Sequence, residues 1–176
     1  KPTVLGAASG AIAGLVSITP AASFVTPMAS LFIGLIGGIL CYFSVSLLKH
    51  KLGYDDSLDA FGCHGIGGIW GSLATGLWAT TSINSAGADG LFYGNPAQLG
   101  IQIVSIAATI SLAVIATIII LKVVGAFTPL RASSEEEETG LDLTMHGEEA
   151  YPDTHERNLL PSPALNLSSH KAIINQ

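Results

Sequence analysis

Charge is what this sequence has least of: 11% of its residues are Asp, Glu, Lys or Arg, less than half of the ~25% usual in a soluble domain. The shortage is uneven. Residues 1–130 carry four basic side chains (Lys1, Lys49, Lys51, Lys122) and four acidic ones (Asp55, Asp56, Asp59, Asp89), which cancel. Residues 131–176 carry three basic and nine acidic groups, so the whole net charge of −6 lies in the last 46 positions. A body with so little charge is excluded as an ordinary soluble globule. Seven thinly spread basic residues also give a nucleic acid no footing, and no such partner is expected.

Cysteine is equally scarce. Cys41 and Cys63 are the only two, and both are expected to be reduced structural thiols. Cys63 and His64 are neighbours, pointing about 100° apart on a helix, which makes them a poor chelating pair. No metal and no cofactor is expected. Catalytic pairings are lacking as well: no carboxylate or nucleophile pair in the apolar segments converges on His64, so an enzyme is not expected.

What is present is oil. Four apolar segments occupy residues 3–25, 28–48, 57–80 and 97–127, and together they define an all-α integral membrane region over 1–130. A helix needs about 20 apolar residues to cross a ~30 Å hydrocarbon layer. The second segment reaches that length without a charge. The first contains Pro20 and is bounded by Pro27. The fourth runs for 31 residues, or roughly 45 Å at ~1.5 Å per residue, so it is expected to tilt or project. Residues 131–176 read as a mostly irregular acidic tail.

The loops give an orientation. If all four segments span, Lys1, Lys49, Lys51, Lys122 and Arg131 fall on one side, while residues 81–96 have no Lys or Arg. The positive-inside rule puts both ends of this chain in the cytoplasm. Glycines recur every four residues at Gly6, Gly10 and Gly14, at Gly34 and Gly38, and at Gly67 and Gly71. That spacing lets helix backbones approach closely in lipid and predicts a packed bundle.

One ionisable side chain stands out. His64, in "DAFGCHGIGGIWG", lies well inside the third segment with Gly62, Gly65, Gly67 and Gly68 around it. An ionisable group at that depth faces protein or a cavity and is read first as functional. A neutral imidazole offers one donor and one acceptor, suited to a small hydrogen-bonding solute or a proton. The alternative is a histidine bonded to a backbone carbonyl for packing. Asp55, Asp56 and Asp59 sit where carboxylates cap a helix start. Trp70 and Trp78 read as packing or interfacial residues, and Glu135 to Glu138 as a solvated face.

"DDSLDAFGCHGIGGIWGSLATGLWA" resembles the signature of ammonium transporters, the Amt branch of the Amt/MEP/Rh superfamily. "KPTVLGAASGAIAGLVSITPAASFV" is similar to the family's eighth transmembrane helix, and "LRASSEEEETGLDLTMHGEEAYPD" to its cytoplasmic C-terminal segment. The resemblance covers residues 1 to about 153. It implies an eleven-helix bundle in a plasma or inner membrane, assembled as a homotrimer with one apolar pore per protomer. The four segments would be helices eight to eleven, so the chain reads as a C-terminal fragment in need of the missing N-terminal helices.

The resemblance further implies that ammonium is recruited outside, deprotonated and passed as ammonia beside a histidine pair. His64 matches the second of that pair; Ala60 falls on the pore wall and Thr19 beside the pore. Gly140, Leu141, Asp142, His146, Gly147, Glu148 and Tyr151 match a regulatory segment that packs beneath the pore and helps dock a PII-class protein. Ammonium or ammonia and membrane lipid complete the expected partners. A different class remains open on the residues alone: a non-transporting membrane interaction subunit, or an inactive truncated relic, that binds other helices through its glycine faces.

Overall fold

Threonine and proline set the first two helices. In the computed structural model, which describes residues 3–148, Thr3 caps α1 (Val4–Ile18) by accepting a 3.0 Å hydrogen bond from Gly6 N–H. Pro20 does not break the chain at once. It enters a 3₁₀ turn, Thr19–Ala21, because the first turn of a helix does not need its missing N–H. Ser23, at φ +68°, then reverses the direction. Thr26 caps α2 (Pro27–Phe43) through Ala29 N–H at 3.3 Å, with Pro27 at the favoured first position.

The second helix outruns its expected end at residue 48. A wide π-type turn, Ser44–Leu48, carries it into α3 (Lys49–Leu52), and Gly53 closes it at φ +62°. The lysines mark the polar end of this helix rather than a loop. Only glycine adopts such a left-handed cap freely.

The third segment begins late, because residues 54–58 are irregular. Asp56 accepts from Ala60 and Phe61 N–H, both at 2.9 Å, which is the capping role expected of this aspartate cluster. Asp59 itself stands at φ +56° and pairs with Lys49 at 2.6 Å. A second π-type turn, Phe61–Gly65, leads into α4 (Ile66–Trp78). The fourth segment is one unbroken helix, α5 (Pro96–Gly125).

Among the described residues, three helices are long and apolar enough to cross a membrane: Val4–Ala21, Pro27–Leu52 and Pro96–Gly125, of 18, 26 and 30 residues. The expected span 57–80 is helical over residues 60–78, but six glycines and His64 dilute its apolar content below that standard.

The described residues form two units, divided after Ile118 within α5. In the first, α1, α2 and α4 pack on one another around Ala21, Val25, Ala29, Ile33 and Ala74, with Ile18, Trp70 and Trp78 against them. Approach is closest at Ser17, which is fully buried. A Cβ on Gly37 would overlap its hydroxyl, and a Cβ on Gly71 would overlap its carbonyl and come within 2.8 Å of Pro20 Cδ. The glycine periodicity is therefore only partly spent here. Gly67 and Gly71 meet neighbours, whereas Gly10, Gly14, Gly34 and Gly38 have nothing within 4 Å. Gly37, outside the four-residue repeat, is one of the tightest contacts.

At the far end of α4 the backbone is tied down. Thr80 N–H donates to Phe24 O at 2.8 Å, and Gly90 N–H to Ala79 O at 2.8 Å. Trp78 bridges Trp70 and Phe92 with edge-on rings at 6.2 and 5.0 Å. Asp89 accepts from Thr81 N–H at 2.7 Å and from its hydroxyl. Those hydrogen bonds, the backbone one foremost, hold the Asp89 carboxyl below its ordinary pKa.

In the second unit, Ser133 and Glu136 form a reciprocal capping box that opens α6 (Ser134–Thr139). The backbone N–H of Ser133 also holds the Glu136 carboxyl below its usual range.

Candidate pore-lining site

His64 lies in the π-type turn Phe61–Gly65. Such a turn inserts a residue into the helical ladder and re-aims the side chains around it, a device frequent at functional sites. The imidazole is exposed and faces a cleft of about 540 Å³. Phe61, Gly65, Gly68 and Ser72 share its wall, Pro20 lies beside it, and Ser105 and Thr109 of α5 stand opposite. Among the described residues, neither ring nitrogen of His64 makes a hydrogen bond.

The neighbouring glycines divide their work. Gly68 has nothing within 4 Å and leaves the cleft open. A Cβ on Gly65 would come 2.8 Å from the Phe61 ring, so Gly65 lets that ring lie against the helix. Phe61 is held from its other side by Tyr54, ring centroids 5.6 Å apart. Gly62 faces Val45, and Gly67 faces Cys41 and Val16.

The three residues expected at the pore are not gathered in one place. His64 lines the cleft, whereas Ala60 and Thr19 are exposed but do not. Thr19 turns its hydroxyl back to Leu15 O at 2.7 Å, and its neighbour Pro20 takes the wall position. Ala60 engages Asp56 through its backbone. Sequence reasoning missed Ser72, Ser105 and Thr109. Their signal was present but faint: Ser72 is two turns beyond His64, and Ser105 and Thr109 are four apart, on one face of α5.

The residues of the expected regulatory segment form a compact element of their own. Gly140 adopts φ +104° beside Asp142, and the turn Asp142–His146 closes at Gly147, φ +66°. Gly147 N–H donates to Leu143 O at 3.0 Å and Glu148 N–H to Asp142 O at 3.1 Å. Leu141 precedes the turn as its cap. Tyr151 and the rest of 149–176 lie outside the described residues.

The outer surface of these helices is largely apolar. Leu31, Leu35 and Ile39 of α2 are 67%, 64% and 49% exposed, and no residue of α5 is buried. A protein in water does not present contiguous apolar faces of that extent. The fold and its surface define a multi-pass, all-helical membrane protein.

The Ammonium Transporter Family matches residues 1–151, and the chain belongs to that family. An ammonium transporter of Bacillus subtilis is 66% identical over 154 residues, 88% of this chain and 38% of its own length. One from Aquifex aeolicus is 52% identical over 151 residues, 86% of this chain and 35% of its own. Among solved structures, Saccharomyces cerevisiae Mep2 aligns with a TM-score of 0.70 at 36% identity, over 77% of this chain and 31% of that one. The chain thus spans little more than a third of the curated relatives it matches.

Proposed function

We propose that this chain is the C-terminal part of an ammonium transporter and supplies one wall of its conduction path. The observation that carries the reading is His64: an imidazole with no hydrogen bond among the described residues, on a widened glycine-rich turn, facing an apolar cleft. A neutral imidazole there accepts from and donates to a small solute, which suits ammonia or a proton in transit. The relatives named as ammonium transporters support that substrate.

In this reading, residues 1–130 are the membrane region. Helix 60–78 crosses the membrane with the three long helices, as helices eight to eleven of an eleven-helix bundle, and 131–176 is a cytoplasmic tail. Both ends of this chain face the cytoplasm and 81–96 faces outside, because the lysines gather on the first side. Thr19 and Ala60 belong to the path only where helices from the remainder of the transporter approach them. The open faces of Gly10, Gly14, Gly34 and Gly38 receive those helices. Gly140 to Glu148, with Tyr151, form the regulatory segment for a PII-class protein, and the whole is a homotrimer that carries out no covalent chemistry.

The test is His64→Leu in the complete transporter, with ammonium-driven current and methylammonium uptake normalised to folded protein. Altered conduction or altered discrimination against potassium is the expected result. Normal values of both would make His64 a packing residue and favour a non-transporting membrane subunit.

A further inference from the structure

We propose that Asp59, held by Lys49, is a positioning residue that sets the direction in which His64 leaves its helix. The inference rests on the reading of His64 as a residue of the conduction path. Asp59 is the joint at which the third segment turns helical. Its N–H donates to Asp56 O at 3.2 Å, and its own carbonyl accepts from Cys63 N–H at 3.0 Å. The joint has an uncommon shape. Ser23 and Asp59 are the two residues other than glycine with positive φ among the described residues, and Asp59 stands at +56°. Aspartate tolerates that region better than most side chains, and the Lys49 ammonium, 2.6 Å from Asp59 Oδ1, fixes where its carboxylate points.

The turn that follows depends on that joint. Phe61–Gly65 is π-type, so it holds one residue more than a regular α-helical turn. Reversion to the regular ladder would rotate the side chains beyond it by about one residue, roughly 100°. Three contacts hold the wide form. Asp56 takes the Ala60 and Phe61 N–H groups at 2.9 Å, but it belongs to the same stretch and gives the turn no outside reference. Gly62 lies against Val45, where a Cβ would come 2.6 Å from Val45 Cγ2. The Lys49–Asp59 pair is the third contact. Val45 and Lys49 both sit on the continuation of α2, so these two contacts orient the turn against a neighbouring helix.

Of the two, only the ion pair is directional. Its side chains are 25% and 35% exposed, and a pair that open to solvent adds little to stability. Its consequence is therefore geometric. It fixes the start of the wide turn, and His64 follows within that turn.

The test uses the complete transporter in lipid, with isotope-labelled histidine read by nitrogen NMR. The His64 imidazole resonances are identified by their loss in His64→Leu. Lys49→Met and Asp59→Asn should each move them in the same direction, the double variant no further, and Lys49→Arg should leave them in place. Ammonium-driven current per folded protein should fall roughly tenfold in the first two, within the ~100-fold that a misplacement of about 1 Å can cost. Unmoved resonances in a folded variant would overturn the inference. So would shifts of opposite sign that cancel in the double variant, because they report the field of the two charges and not the aim of the ring. Shifted resonances with a normal current would uphold the positioning and instead remove His64 from the conduction path. If a single variant fails to fold, the double variant decides, since it removes both charges and asparagine also tolerates the left-handed region.

Discussion

The indole N–H of Trp70 donates a 2.9 Å hydrogen bond to the backbone carbonyl of Ile33, joining α4 to α2 through a group that already serves the helix. Carbonyl oxygens have two lone pairs, so this bond adds to the ladder without breaking it. Trp70→Phe keeps most of the ring and removes the donor. No partner is stranded, so the loss should be modest, about 1 kcal/mol. A lowered midpoint of thermal unfolding in detergent, read by circular dichroism, would record it; an unchanged midpoint would show the bond to be incidental.

Glycine substitutions should separate sharply. Gly71→Ala drives a methyl into the Ser17 carbonyl and the Pro20 ring, neither of which can rotate away, and should destabilise by about 1–3 kcal/mol. In this chain by itself, Gly38→Ala meets nothing within 4 Å and should gain up to ~1 kcal/mol from helix propensity. Equal melting points for the two variants would mean that α1 and α4 do not touch as described.

The loop after α4 should loosen in acid. Hydrogen bonds from Thr81 lower the Asp89 pKa from its ordinary 3.8. A lowered folded-state value means that the fastening is complete above about pH 3.8 and fades as pH falls through that lower value. Amide exchange at Thr81 is the probe: protection should fall over that acid range in the wild type. In Asp89→Asn the N–H keeps a neutral acceptor at best, so its weaker protection should not change with pH there.

In the complete transporter, deleting residues 141–151 should reduce uptake or uncouple the subunits while membrane insertion persists. Uptake assays and a pull-down with a PII-class protein provide the measurement. If both are unchanged, the segment is a solvated appendage.

Much of the architecture was legible because it depends on local chemistry. Pro27 and the capping carboxylate of Asp56 each announce a helix boundary in one dimension, whereas the second helix ends at Gly53, beyond the residue 48 that its apolar run suggests. The two π-type turns were not legible. A widened turn at Ser44–Leu48 or Phe61–Gly65 follows from how neighbouring helices pack, and no residue type signals it. The glycine repeats misled for a related reason. Spacing shows which residues share a face, but not what that face meets, so Gly37 was overlooked while Gly14 and Gly34 were credited with contacts. His64 was conspicuous as an ionisable group in oil, whereas Ser72, Ser105 and Thr109 are ordinary membrane-helix residues. Only the fold brings them to its cleft.

The helix behind His64 is moored at three depths: by Lys49 to Asp59 at its start, by Trp70 to Ile33 in its middle, and by Thr80 to Phe24 beyond its end. A rod fixed at three points along its length has no pivot. Within this unit α4 cannot tilt against α1 and α2 without breaking at least two moorings, which disfavours a rocking-bundle cycle built on it. Motion on this wall of the cleft then falls to torsions of the imidazole and the Phe61 ring. Exposed side chains turn in picoseconds to nanoseconds, whereas collective helix motions take microseconds or longer. The mooring makes this wall a static groove with fast-moving fittings.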